Sequence, residues 1–544
     1  MSLSYTDSVA YPFGLNVFRS KYIPYIYVFY YSFLSIITSP VVAYNIQMIL
    51  NILLSGIFMY LLVSYLLLDN PLLALFSGMI FAFCPYQFAR IWQHPGLTYN
   101  QWFPLVLFSV LLLKEKTEKS KIIFFMFSLL FLYSFDLHIS FFGSFVLILF
   151  LIYSSIYDWR KKALKENIRF YKTVVISWSI VLLLLFFQHC PLIKNSFLFS
   201  STTAPSAFNP YHRPFEDLFQ QSARPLSYFL PAAVHPIFGK FTEQFIGSQL
   251  YGISLTEHAL YLGWIPLILA FVAFRRWRRA RKLKINEKEN FYIGFFIFLA
   301  AVAWLFSQPP WWKIGPLKIL MPSFFMYKIL PMVRAYCRFG IVVMLAIAVL
   351  AGYGLKFILE KHKSRIKRIV IPCLFSSLVL FEFWNWPPFK VIDVSRVPQV
   401  YYWLKEKPGD FAIAEYPLDA DSPNEMYKFY QTKHEKKIIN GSIPGTPANN
   451  LAKTITKLSE LYTTKILKWM GVKYVLVHHD GYLQTELTED REELKKISIN
   501  KGLKFVISFT AEECPQKDIM CTKKSGPIDV YEIVSGPIKP EVKD

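Results

Sequence analysis

The chain runs to 544 residues with a formal net charge of +22, and 54% of its residues are hydrophobic and 18% aromatic. So apolar a composition excludes a soluble enzyme of this length and predicts a multispanning membrane protein. In a soluble chain the charge would point to nucleic acid; here the basic residues fall in short clusters between apolar runs, which argues against that partner and fits loops on the cytoplasmic face of a membrane.

The opening stretch, Tyr5-Thr-Asp7-Ser-Val-Ala-Tyr-Pro12-Phe-Gly14, lacks the basic and apolar regions of a signal peptide and reads as a loop. Residues 24–38 are aromatic, interrupted by serines and bracketed by Pro24 and Pro40, which predicts a helix lying in the membrane interface. From Val41 the apolar segments predict about ten membrane helices, at 41–67, 71–86, 99–113, 121–135, 138–157, 173–191, 258–274, 291–307, 338–359 and 368–386. Several fall short of the roughly 20 residues a span requires, so tilted or broken helices are expected.

Basic clusters at Lys114–Lys121, Trp159–Lys172, Arg275–Lys282 and Lys361–Arg368 lie on one side if the helices alternate, and that side is read as cytoplasmic. The loops at 87–98, 136–138, 192–257 and 308–337, with everything after Trp386, then face outward. This arithmetic leaves the first 40 residues outside with no helix ahead to export them. Either they cross unaided or a further helix precedes them, and the second is favoured.

After Trp386 the apolar runs shorten to strand length at 411–417, 472–478, 503–509 and 530–534, with helical patterns at 449–470 and 489–499, so a small α/β domain is expected. The organisation is thus 1–40 outward loop and interfacial helix, 41–386 polytopic membrane domain with a large outward loop at 192–257, and 387–544 extracytoplasmic α/β domain. Asn440-Gly-Ser442 fits the glycosylation acceptor pattern, which is common by chance. Cys84, Cys190 and Cys337 fall near outer ends of spans and Cys373 within one; Cys514 and Cys521 suit a disulfide or two free thiols equally.

No soluble-enzyme signature is present. Instead His94, His138, His189, His212, His235 and His258 gather on or near the outward face, as do His434, His478 and His479 in the tail, and only His362 lies inside. They share that face with Asp7, Arg90, Gln101, Asp136, Arg224, Tyr228, Glu257, Tyr261, Arg334 and Arg338, many of them in or beside the stretch 222–264. Ionisable residues at span ends are costly unless water or partners satisfy them, so their convergence marks a candidate cavity; the alternative is that outward loops are simply where polar residues belong. Asp136 and His138 suit helix capping as well as catalysis. Arg334 and Arg338, four apart at the start of a span, would share a helix face and suit a phosphate, or a lipid headgroup. The run from Trp311-Trp312 to Lys328 predicts an interfacial helix.

These motifs together, Tyr11-Pro-Phe-Gly14, Ala82-Phe-Cys-Pro85 leading to Arg90 and His94, Gln101-Trp-Phe-Pro104-Leu, Ser134-Phe-Asp-Leu-His138, Ser227-Tyr-Phe-Leu-Pro-Ala-Ala-Val-His235-Pro, Glu257 to Gly263, Arg334 with Arg338, and Gly471-Val-Lys-Tyr-Val-Leu-Val-His478, resemble a group of bacterial and archaeal multispanning proteins that look like members of the GT-C superfamily of membrane glycosyltransferases. The likeness covers nearly the whole chain. It implies an all-α GT-C-like bundle with an extracytoplasmic α/β tail in the cytoplasmic (inner) membrane, a polyprenyl-phosphate-linked sugar as donor, and a glycan, lipid or protein acceptor outside. It also implies an acidic residue in the first outward loop as base or metal ligand, because an acceptor hydroxyl loses its proton as it attacks the anomeric carbon. Relatives carry that residue after a further helix, upstream of the Tyr-Pro-x-Gly segment. Here Asp7 is the one carboxylate before Asp69 and so the catalytic candidate, outside the expected motif.

Arg224, His235, Arg334 and Arg338 are then expected on the phosphate side of the donor, and Arg90, His94, Asp136, His138, Tyr228, Glu257 and Tyr261 around the rest of the substrate. Alanine at both Arg334 and Arg338 is expected to remove donor binding with folding intact. A divalent cation is the one cofactor an acidic donor pocket would recruit, with no ligand set of defined spacing. A non-catalytic membrane scaffold and a flippase of lipid-linked glycans are the competing classes; the latter calls for charges deep within spans or internal repeats.

Overall fold

A computed structural model of the protein describes residues 5–16, 25–67, 70–199, 214–283, 285–386, 397–418, 421–442, 446–483, 488–510 and 527–534. His212, Cys514 and Cys521 lie outside them. The chain forms two compact units, one of residues 22–190 with 210–388, the other of residues 1–21 and 191–209 with 389–544.

The larger unit is a bundle of apolar helices. Among the described residues seven are long and apolar enough to cross a membrane: Pro40–Leu67, Pro71–Gln93, Pro95–Glu115, Leu137–Arg160, Ile168–Phe186, Glu287–Ser307 and Tyr336–Leu359. Each segment expected to span contains a helix, though that expected over 258–274 starts only at Trp264, and the three outside this group differ for visible reasons. Lys119–Tyr133 has only 15 residues. Trp264–Leu283 gives its last two turns to the basic cluster Arg275–Lys282, and Arg365–Glu382 opens on basic residues and contains Pro372. Pro71–Gln93 is broken as expected of a short span: the helix stops at Ala82 and restarts at Pro85, whose missing N–H costs nothing at a first helical position.

The helix Gly340–Leu359 is the axis of the bundle, since all its residues but Lys356 and Ile358 are buried. It packs against Pro71–Ala82, Trp264–Leu283 and Glu287–Ser307. Without a hydrophobic drive between helices in lipid, close backbone approach supplies the contact energy, and small residues allow it. A side chain at Gly354 would run into the Leu269 carbonyl, which belongs to a neighbouring backbone that cannot swing aside.

One local prediction is corrected. The segment from Trp311 is not an interfacial helix throughout but opens as a hairpin, Trp311–Ile314 paired antiparallel with Leu317–Leu320, before the short helix Pro322–Ile329. The Gly315-Pro316 pair makes the turn, Gly315 at φ 58°, and Lys318 caps the Trp311 ring from 3.6 Å across the strands.

The smaller unit is the expected α/β tail. Its five strands run in the order Lys437–Ile438, Ala412–Tyr416, Val472–His478, Ile528–Ile533, Leu503–Phe509, the first three parallel and the last two antiparallel. The N-terminal stretch belongs here too, which revises the grouping of residues 1–40. Ala10 donates to the Asn440 carbonyl, Tyr11 to the Ile438 carbonyl, and Ile438 back to the Ser8 carbonyl, at 2.9, 3.1 and 2.9 Å. Residues 8–11 thereby cover the exposed edge of the short strand Lys437–Ile438, which would otherwise be open to pairing with another chain. The helix Tyr25–Ile37, by contrast, belongs to the larger unit.

Asn440 is no glycan acceptor in this fold. It is 2% exposed, and its amide accepts from the Glu415 backbone N–H at 2.9 Å while donating to the Glu415 carbonyl at 2.8 Å.

Replacing Gly354 with Val is expected to lower stability by about 1–3 kcal/mol or more through overpacking, read as a fall in melting temperature of the detergent-purified protein. An unchanged melting temperature would mean that the two helices do not approach as closely as described.

Candidate functional site

The polar residues of the larger unit converge at the end of the bundle where the axial helix begins. Glu257 lies in the loop before Trp264–Leu283, its backbone N–H held by Ser254 Oγ at 3.1 Å. Although only 4% exposed, its carboxylate is fully engaged. Arg90 donates to Oε2 at 2.9 Å. Arg338 donates from Nη2 to Oε1 at 2.6 Å, and its Nε lies 3.2 Å from both oxygens. The Cys337 thiol donates to Oε2 at 3.1 Å, and His94 Nε2 stands 3.6 Å from Oε1.

Each partner is placed by its own element. Arg90 sits one turn after Tyr86 on the helix Pro85–Gln93, and its guanidinium lies 4.5 Å from that ring, a cation–π contact at the i, i+4 spacing. Arg338 lies in the single 3-10 turn Tyr336–Phe339 ahead of the axial helix. The next residue, Phe339, packs edge-on against Phe141, Phe142 and Phe145, which pins that turn.

Two guanidiniums against one carboxylate leave the buried group with an excess positive charge. Burial pushes the Glu257 carboxyl up, but the Arg90 and Arg338 guanidiniums outweigh it and hold the group well below the usual carboxylate range. The same charges act on the rim: burial first, then Arg338 and Arg90, push His94 down to about 4, so its imidazole is neutral near pH 7. Arg90 is completely buried, yet among the described residues its Nε and Nη1 have no hydrogen-bond partner. Buried donors on a cation are rarely left so, and they suit an incoming anion.

Of the residues expected around the substrate, Arg90, His94, Glu257 and Arg338 are thus brought together. Asp136 and His138 border them: Asp136 caps Leu137–Arg160 by accepting from the His138 N–H at 2.7 Å and meets the His138 ring at 3.1 Å, while Gly96, two residues after His94, abuts its other oxygen. The remaining residues are committed elsewhere. Arg334 does not share a helix face with Arg338, because helical structure begins only at Tyr336; its guanidinium pairs with Asp217 at 2.9 Å. Arg224 donates to the Phe219 carbonyl and anchors its own loop. Tyr228 donates to Ser307 Oγ at 2.8 Å. His235 accepts from the Ile237 and Phe238 N–H groups and donates from Nε2 to the Phe381 carbonyl at 3.0 Å, tying its loop to the end of Arg365–Glu382. Tyr261 and Glu382 both accept from the Trp264 N–H and so cap Trp264–Leu283.

Asp7 belongs to the smaller unit, where its half-exposed carboxylate faces Lys437 at 3.3 Å. Among the described residues no group of three His, Cys, Asp or Glu is arranged to hold a metal ion.

Sequence reasoning missed Tyr86 and Cys337, whose only signal was adjacency or helical spacing to an arginine. It also passed over a buried amide network beneath the site. Gln101 donates to Asn51, Asn51 to Thr98 Oγ1, Gln87 to the Thr98 carbonyl and Asn100 to Gln87, at 3.0, 2.7, 2.9 and 2.5 Å. Gln47 and Asn51 stand four apart inside an apolar span, and that was the legible clue.

The geometry sets a new expectation for Arg338, whose loss strips a partner from a buried carboxylate and would not leave folding intact. Replacing Glu257 with Gln should likewise cost about 3–5 kcal/mol, because two buried guanidiniums lose their counter-charge. The carboxyl is held below its usual value of 4.5, so its contribution is fully present above that pH and is lost as pH falls through the lower folded-state value. The melting-temperature gap between wild type and Glu257→Gln should therefore stay constant from about pH 8 to 5 and narrow only in more acid solution. A gap that closes near neutrality would contradict the pairing.

Comparison with curated proteins finds no match. Among solved structures the chain is similar to arabinofuranosyltransferase AftD from Mycobacteria, with a TM-score of 0.55 and 12% identity over 98% of this chain and 37% of that one. A mutant of AftD aligns with a TM-score of 0.45 and 12% identity, over 98% of this chain and 38% of that one. The chain therefore spans little more than a third of AftD's length, and the first likeness shows that it shares a fold with that part of AftD. A family model described as a domain of unknown function, DUF6311, matches residues 1–380, well over half of the chain, and the chain belongs to that family.

Proposed function

We propose that the chain is a GT-C-type glycosyltransferase of the cytoplasmic membrane that moves a sugar from a polyprenyl-phosphate donor to an acceptor on the outer face, where the α/β unit also lies. The observation that carries this is the buried Arg90, Glu257 and Arg338 cluster: a fixed excess of positive charge at one end of the bundle, with Nε and Nη1 of Arg90 unspent among the described residues. Donors already oriented when charge develops need no reorganisation, which is how such a site stabilises a leaving group. The named activity of the solved neighbour, arabinofuranosyl transfer, lends the reaction class and no more.

In this reading the acceptor hydroxyl attacks the anomeric carbon, the bond from that carbon to the phosphate oxygen breaks, and the phosphate departs toward Arg90. Glu257 acts as a positioning residue that holds the two guanidiniums apart and in register. Neutral His94 and the Asp136/His138 pair line the approach. For the carboxylate that takes the hydroxyl proton, Asp7 is the candidate the sequence offers.

The test is binding and turnover in the purified full chain with a short polyprenyl phosphate and its sugar-loaded form. Arg90→Lys keeps the charge but loses the planar fork, and it is expected to weaken lipid-phosphate binding at least tenfold and turnover on the order of a hundredfold. Unchanged affinity in a well-folded Arg90→Lys protein removes the cluster from donor binding. Asp7→Asn is expected to abolish turnover while leaving lipid-phosphate affinity intact; full turnover would reduce Asp7 to a contact of the edge it lies on.

A further inference from the structure

A cavity with mostly apolar walls and two charged side chains at its edge lies at the opposite end of the bundle, where Pro40–Leu67, Trp102–Glu115 and Leu137–Arg160 end and Glu287–Ser307 begins. Its volume is about 240 Å³, and its walls include the rings of Tyr65, Tyr157, Phe291 and Tyr292 with Glu115 and Lys288. Lys114 also lines it, but its charge is spent: its ammonium lies 2.7 Å from Asp158, which further accepts from Tyr171 and Asn167 at 2.7 and 3.0 Å.

Glu115 and Lys288 are different. Among the described residues no cation stands within ion-pair distance of Glu115 and no carboxylate within that distance of Lys288, and the two do not pair with each other. Tyr65 separates them: its hydroxyl donates to Glu115 at 3.3 Å, and its ring lies 5.9 Å from the Lys288 ammonium. The cavity thus carries at its exposed edge one negative and one positive charge without an ion-pair partner among the described residues, a tyrosine apart, beside aromatic faces that favour an ammonium. A simple anion would be repelled by Glu115 and a simple cation by Lys288. The volume falls below that of pockets for drug-sized or nucleotide-sized ligands.

We infer that this cavity binds a small zwitterion carrying a phosphate and an ammonium, the phosphate toward Lys288 and the ammonium toward Glu115 and the rings. Its place at the ends of helices long enough to span, beside Tyr65, Tyr157 and Tyr292, the residue type enriched where a membrane meets water, assigns the ligand to a phosphoethanolamine lipid headgroup. The site is independent of the Glu257 cluster, so either can fail without the other.

The test uses the full chain purified in detergent and measures retained lipid by native mass spectrometry together with melting temperature. Phosphatidylethanolamine is expected to be retained and to raise the melting temperature, and Lys288→Ala and Glu115→Gln each to weaken retention roughly tenfold, the loss of one charge-assisted contact. Both side chains are exposed at helix ends, so the variants should fold, which a monodisperse elution profile checks. Glu115→Gln should also improve retention of phosphatidylglycerol relative to wild type. Stabilisation by soluble phosphoethanolamine alone, sensitive to both variants, would support the site and assign its ligand to the aqueous phase. Equal retention of both lipids, indifferent to Glu115→Gln, would overturn the inference, as would no retention of either.

Discussion

A carboxylate buried between two guanidiniums is the constraint from which the larger unit is organised. Glu257, Arg90 and Arg338 come from three distant segments, and none could be buried alone in an apolar bundle without a severe cost. Their pairing fixes where the broken helix Pro71–Gln93 restarts, where the axial helix begins, and how the loop ahead of Trp264–Leu283 closes over both. The second guanidinium matters as much as the first. One arginine would neutralise Glu257, whereas two leave a positive charge that the fold cannot quench from within, and that residue of charge gives the site a use.

The rest of the polar chemistry divides between scaffolding and that site. His235, Tyr228, Arg224, Tyr261 and Glu382 satisfy carbonyls and helix ends that a membrane leaves no water to satisfy. The first four look like active-site residues in the sequence because a long connecting loop beside apolar helices needs the same residue types. The distinguishing feature is spare hydrogen-bonding capacity. His235 uses both ring nitrogens on backbone groups, whereas Arg90 leaves two of its nitrogens unused.

Much of this architecture was legible. Apolar run lengths located the long helices of the bundle, and strand-length runs gave four of the five strands of the tail's sheet, missing the two-residue Lys437–Ile438. The convergence of Arg90, His94, Glu257 and Arg338 on one face followed from loop arithmetic. The pairing was not legible, since four-residue spacing suggested that Arg334 and Arg338 act together. In fact the 3-10 turn starting at Tyr336 sends one to Asp217 and the other to Glu257. The hairpin at Trp311 was hidden because Gly315-Pro316 sits in a run whose aromatic and basic residues suit an interfacial helix equally well. The burial of Asn440 and the place of residues 8–11 beside the tail's sheet were hidden for a common reason. Edge pairing between residues 8–11 and 438–440 spans more than four hundred residues of sequence, and no local pattern announces it.

The most direct measurement is a structure of the full-length protein purified with a short polyprenyl phosphate. The account predicts the phosphate within hydrogen-bond distance of Nε and Nη1 of Arg90, with Glu257 still clasped by both arginines. A phosphate bound elsewhere on the bundle, beside an unchanged and unvisited cluster, would contradict it and leave Arg90, Glu257 and Arg338 as a structural clasp alone.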